Sequence, residues 1–207
     1  IPDDLLRGPP QRAAVVEVSQ IKDVEVHCGL WPFRQSYSCS ISIEKGIAMT
    51  KRSPVELVVV PCVADNYAFL IHNSDTGETA LVDAPEAAPI QAALDARGWS
   101  LNDILITHHH DDHIGAVAAL RAGARVIGAA ADAHRLPDLE LAVTEGEQIT
   151  VCGQQVDVFD VSGHTIGHIA FHMPGAQLVF TADSLMALGC GRLFEGAPAQ
   201  MWDSMQK

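Results

Sequence analysis

Apolar residues recur in short, punctuated runs from Val55 onward, and these runs predict the secondary structure. The first three are rich in β-branched residues and are separated by turn signals such as Asp65-Asn66 and Asp75-Thr76-Gly77. Runs of this kind predict consecutive antiparallel strands. The three runs are ELVVVPCV, NYAFLIH and ETALVDA.

Helical and strand patterns alternate through the rest of the chain. One helix is predicted over 86–99, and a second runs from about Asp112 to a stop signal at Gly123. A mixture of strands with interspersed helices predicts an α/β fold in which helices cover packed sheets. The remaining predicted elements are strands at 103–107, 125–129, 154–161, 168–174 and 176–183 and a final helix at 198–206.

Residues 1–48 differ from the rest because they show no period of 2 or 3.6 and carry several prolines. Two interpretations stay open for this N-terminal stretch. Either Met49 is the true start of the protein, or residues 1–48 are an extension packed on the domain. The predicted domain spans 49–207, and no role is assigned to the residues before it.

Acidic residues dominate the composition, with 26 Asp and Glu against 13 Lys and Arg and a net charge of −13. This charge works against non-specific binding to nucleic-acid phosphates or to an anionic membrane. No apolar stretch approaches the roughly 20 residues that a membrane-spanning helix needs. A small-molecule ligand is therefore expected, with neither nucleic acid nor membrane as a partner.

The five cysteines are scattered and include no CxxC pair. Neither a disulfide framework nor a zinc ribbon is indicated. The N-terminal stretch also lacks the basic and apolar regions of a secretory signal. A cytoplasmic protein is expected, in which Cys190 serves packing because no partner base for a nucleophile is apparent.

A dense run of histidines and aspartates, HHHDDH at 108–113, directly follows a predicted buried strand. Side chains alternate in extended backbone, so His108, His110 and Asp112 can point to the same side. Neutral imidazoles and a carboxylate are suitable ligands for zinc, iron or manganese. The run therefore predicts a metal site at the end of this strand.

The same run has room for a second ion. The chain turns into a predicted helix at Asp112, so His113 can face a different ion from the preceding histidines. His109 and Asp111 point elsewhere and are expected to support the ligands or to face solvent. A histidine-rich surface loop is the alternative that composition alone permits.

Two further candidate ligands lie downstream. His164, in GHTIGH at 163–168, follows a predicted strand, and the glycines there permit close approach of the backbone to a site. Asp183 ends a predicted strand, where its two oxygens can bridge two cations, although a helix N-cap is the ordinary role of such a residue. The other histidines are interpreted as structural, strand or surface residues: His27, His72, His134, His168 and His172.

Together these residues resemble the metallo-β-lactamase superfamily in order and spacing. Its HxHxDH loop, later histidine and bridging aspartate match 108–113, His164 and Asp183. Within the superfamily, the chain is similar to the glyoxalase II (hydroxyacylglutathione hydrolase) family from about Val55 to its end. The similarity is carried by VVPCVADNYAFLI, THHHDDHIGA, SGHTIGHIAFH and, most discriminatingly, FTADSLMALGCGRLFEGAPAQMWDSM.

This resemblance implies a fold and a reaction. The fold is an αββα sandwich of two mixed β-sheets flanked by helices. The reaction is hydrolysis of the S-D-lactoylglutathione thioester to D-lactate and glutathione, the second step of methylglyoxal detoxification. Two divalent ions are implied, zinc first, with iron and manganese as alternatives.

The resemblance also implies a role for each candidate residue. A hydroxide that bridges the ions is the nucleophile, and Asp112 and Asp183 are the catalytic carboxylates. Asp83 orients a ligand histidine without binding metal. The implied ligands are His108, His110 and His164 for one ion, Asp112 and His113 for the other, and Asp183 as the bridge.

Arg192 and Phe194 occupy positions where the family contacts the glutathione portion of its substrate. A cationic side chain suits the glutathione carboxylates. The family usually has an aromatic hydroxyl at the position of Phe194, so that hydrogen bond is lost here.

The resemblance is incomplete at the C-terminal end. The family supplies one more histidine to the second metal and a helical region with basic residues for glutathione. Here no histidine follows His172, and the sequence ends at Lys207 inside a predicted helix. A fragment without the C-terminal helical region is expected, and replacement of the missing ligand by water is the alternative.

Other functions stay open at this stage. A lactonase, a β-lactamase or a persulfide dioxygenase with a single iron shares the metal motif, and a bridging Asp183 favours two metals over one. A non-catalytic metal-binding protein is disfavoured because all six visible ligand positions carry competent residues. A monomer is expected.

Overall fold

The computed structural model describes residues 53–187 and 189–207, which form two β-sheets. The predictions made for residues 1–48, including His27, and for Met49 lie outside these residues. The first sheet has six strands in chain order: β1 (Val55–Cys62), β2 (Asn66–Asn73), β3 (Thr79–Val82), β4 (Asp103–Leu105), β5 (Arg125–Ala129) and β6 (Leu141–Val143).

This six-stranded sheet is mixed. β1, β2 and β3 pair antiparallel, as the three punctuated runs predicted. β3, β4, β5 and β6 pair parallel. Parallel neighbours need crossover connections, and the helices that follow β3 and β4 supply them.

The second sheet has four strands: β7 (Gln148–Val151), β8 (Gln154–Asp160), β9 (Ile169–Met173) and β10 (Leu178–Phe180). All of its pairs are antiparallel. The expectation of two mixed sheets is therefore wrong for this sheet. The physical reason is that consecutive strands joined by short loops fold back beside one another.

Helices flank the two sheets, so the predicted αββα sandwich is confirmed. α1 and α3 cover the outer face of the first sheet, where Ile90, Leu94 and Val117 are buried. α4 borders the outer face of the second, because Ser204 and Phe159 line one groove there. The four helices are α1 (Ala87–Asp95), α2 (Asp111–Ile114), α3 (Val117–Leu120) and α4 (Pro198–Ser204).

The main core lies between the sheets. Alternate residues of β2 and β8 point into it, including Phe69, Ile71, Val156 and Val158. The rings of Phe69 and Phe180 lie 5.6 Å apart across this interface. Burial of these side chains holds the strand ends, and the loops that follow them, in fixed relative positions.

The single helix predicted from Asp112 to Gly123 is wrong, since the structure has α2 and α3 in its place. The amide of Ala116 donates to the carbonyl of Ala84 at 2.8 Å, and the amide of Ala84 donates to the carbonyl of His113 at 2.7 Å. Pairing with the segment after β3 thus competes with the helical bonds and interrupts the helix between Ile114 and Val117.

The predicted strand ending at Asp183 is also too long. β10 ends at Phe180, and Asp183 lies in a 3-10 turn over Ala182–Ser184. Two short strands, β6 and β7, were not predicted. They have three and four residues, most of which are partly exposed, so apolar and polar positions do not form a clear alternating pattern. Among the described residues, no helix has the length and apolar character needed to cross a membrane.

Candidate metal centre

The candidate ligands meet at one end of the two packed sheets. His108 and His110 follow β4, Asp83 follows β3, and His164 follows β8. The carboxyl ends of the parallel strands β3 and β4 lie side by side, which brings the first groups together. The amide of Ile169 donates to the carbonyl of Thr107 at 2.9 Å and joins the second sheet to this edge.

Three imidazole nitrogens converge at the centre of the site. Nε2 of His108 lies 3.1 Å from Nδ1 of His110, and Nε2 of His164 lies 3.0 Å from the same atom. Donors about 2.0–2.1 Å from a tetrahedral ion are separated by about 3.4 Å. The three nitrogens therefore fit one metal ion.

The histidines of this group are suited to binding as neutral ligands. Burial, together with the neighbouring His168, holds the pKa of His108 well below its ordinary value. Burial and the nearby His164 also lower the pKa of His110. A neutral imidazole has a free lone pair, which is the form that coordinates a metal.

A second group of donors adjoins the first. His108, His113 and Asp183 offer donor atoms that all lie within 4.8 Å of one another. The two oxygens of Asp183 face different partners, because Oδ2 lies 3.2 Å from His164 Nε2 and Oδ1 lies 3.6 Å from His113 Nε2. Asp112 lies at the edge of this group, with Oδ2 at 3.7 Å from His113 Nε2. The donor set fits a second ion beside the first.

Asp83 holds His113 in place from behind. Its Oδ2 lies 2.8 Å from His113 Nδ1, so that Nε2 faces the other donors. Thr107 fixes the carboxylate by donating its amide and its hydroxyl to the two oxygens, at 2.9 and 2.8 Å. Burial lowers the pKa of His113, but the charge and hydrogen bond of Asp83, together with the charges of Asp183 and Asp112, raise it above its ordinary value. Asp83 thus lies where it can orient His113, and its role in doing so stays a prediction.

Phe194 and Arg192 lie beside the histidines. The Phe194 ring is edge-on to His110 and His164, with ring centres 5.2 and 5.3 Å apart. It is 57% exposed and so forms an open wall of the site. The Arg192 guanidinium lies 5.0 Å from the centre of this ring.

His109 and His168 occupy positions behind the donors. His109 points away from them, as predicted, and its Nδ1 lies 3.1 Å from Asp132. His168 is fully buried, and its ring stacks on His108 with centres 4.5 Å apart. The interpretation of His168 as structural agrees with this packing, but its contact with a candidate ligand was not foreseen.

The structure adds residues that sequence reasoning did not assign to the site. The Asn66 amide nitrogen donates to the Asp112 carbonyl at 2.7 Å and lies 3.3 Å from His113 Nε2. Asn66 was interpreted only as part of a turn. Arg135 and Glu195 form an ion pair beside the site. The run that contains Glu195 carried the family resemblance, but no local pattern links it to Arg135.

Comparison with known proteins agrees with this geometry. The sequence-family model of the metallo-β-lactamase superfamily matches residues 64–205 of this chain. The chain therefore belongs to the metallo-β-lactamase superfamily. A solved structure, the BLEG-1 B3 metallo-β-lactamase, has the same fold, with a TM-score of 0.67, 21% sequence identity and coverage of 73% of this chain and 84% of that one.

Curated relatives are more similar in sequence. A hydroxyacylglutathione hydrolase of Ruegeria pomeroyi is 65% identical over 156 residues, which are 74% of this chain and 61% of the relative. One of Jannaschia sp. is 63% identical over 154 residues, 73% of this chain and 60% of the relative. The chain thus spans about three fifths of the length of these relatives.

Proposed function

We propose that the protein is a hydroxyacylglutathione hydrolase that uses two divalent metal ions to convert S-D-lactoylglutathione to D-lactate and glutathione. The observation that carries this proposal is the Asp183 carboxylate, whose oxygens face His164 and His113 separately. A carboxylate between two groups of donors supports a bridged pair of ions. The 65% and 63% identities to hydroxyacylglutathione hydrolases support the choice of substrate.

The proposed ligands follow from the donor groups. When bound, the ions supply polarisation of the thioester carbonyl and a water whose pKa is lowered to near neutrality. Zinc is the first choice, and iron or manganese suits the same donors. The first ion is assigned to His108, His110 and His164, the second to Asp112 and His113, and Asp183 is shared between them.

The carboxylates complete the chemistry. The side chains of Asp112 and Asp183 are 57% and 28% exposed, so substrate and water can reach them. Each can accept a hydrogen bond from the attacking water and orient it toward the carbonyl carbon. Glutathione leaves as a thiolate, which is stable enough that no protein general acid is required.

Arg192 and Phe194 are proposed to contact the glutathione portion. The Arg192 side chain is exposed next to the donors and can pair with a glutathione carboxylate. Phe194 offers an apolar surface between this cation and the histidines. Its ring has no hydroxyl, so specificity at this position relies on shape rather than on a hydrogen bond.

We also propose a cytoplasmic monomer whose only partner is this small molecule. Within the described part of the chain, Cys62, Cys152 and Cys190 form no disulfide with one another, which suits a reducing compartment. The net charge of −13 disfavours a nucleic acid or an anionic membrane.

The test is turnover by the purified full-length protein. Its kcat/KM is measured with S-D-lactoylglutathione, a homoserine lactone, a β-lactam and glutathione persulfide. The thioester is expected to exceed each of the others by at least about 100-fold. Comparable turnover of another substrate would favour a lactonase, a lactamase or a persulfide dioxygenase instead.

Two neighbouring aspartates, Asp112 and Asp111, provide a variant and its matched control. Asp112→Ala and Asp183→Ala are expected to lower kcat/KM by at least about 100-fold, since each removes a ligand from the centre. Asp111→Ala removes an exposed carboxylate one position away and should leave turnover unchanged. Retained turnover in Asp183→Ala would refute the bridging role.

A further inference from the structure

Residues 190–197, here called the covering loop, form neither helix nor strand, yet they lie against His164. The carbonyl oxygen of Arg192 lies 2.6 Å from His164 Nδ1. The amide of Phe194 donates to the His164 carbonyl at 3.1 Å. An imidazole that donates from Nδ1 keeps its lone pair on Nε2, the atom that faces His110. The orientation of His164 thus depends on the covering loop.

An ion pair fastens the covering loop to the rest of the molecule. Both oxygens of Glu195 accept from the Arg135 guanidinium, one of them at 3.2 Å. The same carboxylate accepts from the amide of Ile166 at 2.8 Å. Glu195 therefore connects the loop both to the segment after β5 and to the segment that carries His164.

Arg135 is itself held by hydrogen bonds to a buried aspartate, Asp132. Its Nε donates to Asp132 at 3.1 Å, and Asp132 is only 2% exposed. Asp132 packs against Gly167, where an added Cβ would lie 2.1 Å from the carboxylate carbon. The planar guanidinium can hold both carboxylates at fixed angles, which a lysine could not do. This pair therefore has a geometry that most surface ion pairs lack.

We propose that Arg135 and Glu195 are positioning residues for the metal centre: their ion pair keeps the covering loop in place, and the loop keeps His164 Nε2 aimed at the other donors. The inference rests on the proposed function, because it concerns the metal site assigned there. Neither residue is a ligand, so both act through His164.

The test is cobalt(II) binding to the metal-free full-length protein, followed by visible absorption. Glu195→Gln keeps an acceptor for the Ile166 amide but loses the charge that holds Arg135. The covering loop supplies the contact from the Arg192 carbonyl to His164, so loosening the loop is expected to lower cobalt affinity by about 10-fold, the lower end of the loss when an outer partner of a metal ligand is removed. The absorption band, which reports coordination geometry, is expected to change as well.

A double variant distinguishes one shared contact from two separate ones. Arg135→Gln should lower cobalt affinity by a similar factor. The protein that carries both Arg135→Gln and Glu195→Gln should bind cobalt as tightly as the single variant with the lower affinity, because both changes break the same contact. Additive losses would overturn the inference. If Arg135→Gln fails to fold because Asp132 loses its partner, Glu195→Gln still tests the inference, since the Glu195 side chain is partly exposed.

Arg121→Gln is the matched control. It breaks the Arg121–Glu140 ion pair, whose side chains are 30% and 45% exposed and lie outside the site. Cobalt affinity should be unchanged in this variant. Unchanged affinity and spectrum in Glu195→Gln would overturn the inference, as would an equal loss in the control. If the unsubstituted protein binds no cobalt, the proposed metal centre is itself refuted. That result is distinct from a failure of the inference about Arg135 and Glu195, because it is obtained before any substitution is made.

Discussion

At the scale of single residues, the charge of Glu195 has a consequence for stability. Hydrogen bonding from the Arg135 guanidinium lowers the pKa of Glu195 from an ordinary value of 4.5 to about 2. A carboxylate with a depressed pKa in the folded state stabilises that state above its ordinary pKa. The contribution disappears as the pH falls from about 4.5 toward about 2.

Glu195→Gln should therefore lower the free energy of unfolding at neutral pH, and by less in acid. The difference between parent and variant is expected to be constant above about pH 5 and to shrink below about pH 4.5. Urea unfolding at a series of pH values from 3 to 7 measures it. A difference that stays constant down to pH 3 would show that the ion pair does not stabilise the fold.

Residue patterns predicted some members of the site and missed others for a physical reason. His108 and His110 could be predicted because alternation along one extended segment places both on one side. Asn66 and Asp132 could not, since their contacts with Asp112 and His109 join segments 46 and 23 residues apart. Such contacts are set by sheet packing rather than by local spacing.

At the scale of secondary-structure elements, α4 supports the loop that carries His164. A Cβ on Gly163, where φ is +153°, would lie 2.8 Å from the Met201 side chain, so the helix packs directly on this loop. The hydroxyl of Ser204 adds a hydrogen bond to the Ser162 carbonyl at 2.7 Å. The short helix therefore contributes to the position of a candidate ligand.

Met201→Ala should destabilise the protein by about 2–5 kcal/mol, because Met201 is 2% exposed and its removal leaves a cavity under the loop. Trp202→Ala is the control in the same helix. Trp202 is 62% exposed, and its loss should change stability by no more than about 0.5 kcal/mol. Urea unfolding compares the two. Equal losses would mean that α4 does not pack on the loop as described.

Elements were predictable where a bounded apolar run or a one-sided pattern marked them. β1 and β2 follow the predicted segments closely because turn residues bound their apolar runs, and α4 does so because its buried residues, Met201 and Ser204, lie on one side. The break between α2 and α3 was missed because it depends on backbone bonds to Ala84 from a distant part of the chain. The end of β10 was misplaced because Thr181 and Ala182 continue the alternation of apolar and polar residues, although the chain enters a 3-10 turn at Ala182.

At the scale of the whole molecule, the two sheets and their connecting loops assemble the metal centre. The first sheet supplies Asp83 and the residues at 108–113, and loops of the second supply His164 and Asp183. The order of strands and helices predicted the sandwich, since only a few arrangements bury such elements. The antiparallel pairing throughout the second sheet could not be predicted from the order of the elements.

The proposed function depends above all on two ions acting together in thioester hydrolysis. The most direct measurement is a titration of the metal-free full-length protein with zinc while hydrolysis of S-D-lactoylglutathione is followed. Turnover is expected to be absent without metal and to reach its maximum at about two ions per chain. Full turnover without metal, or none at saturation with zinc, iron or manganese, would contradict the proposed function.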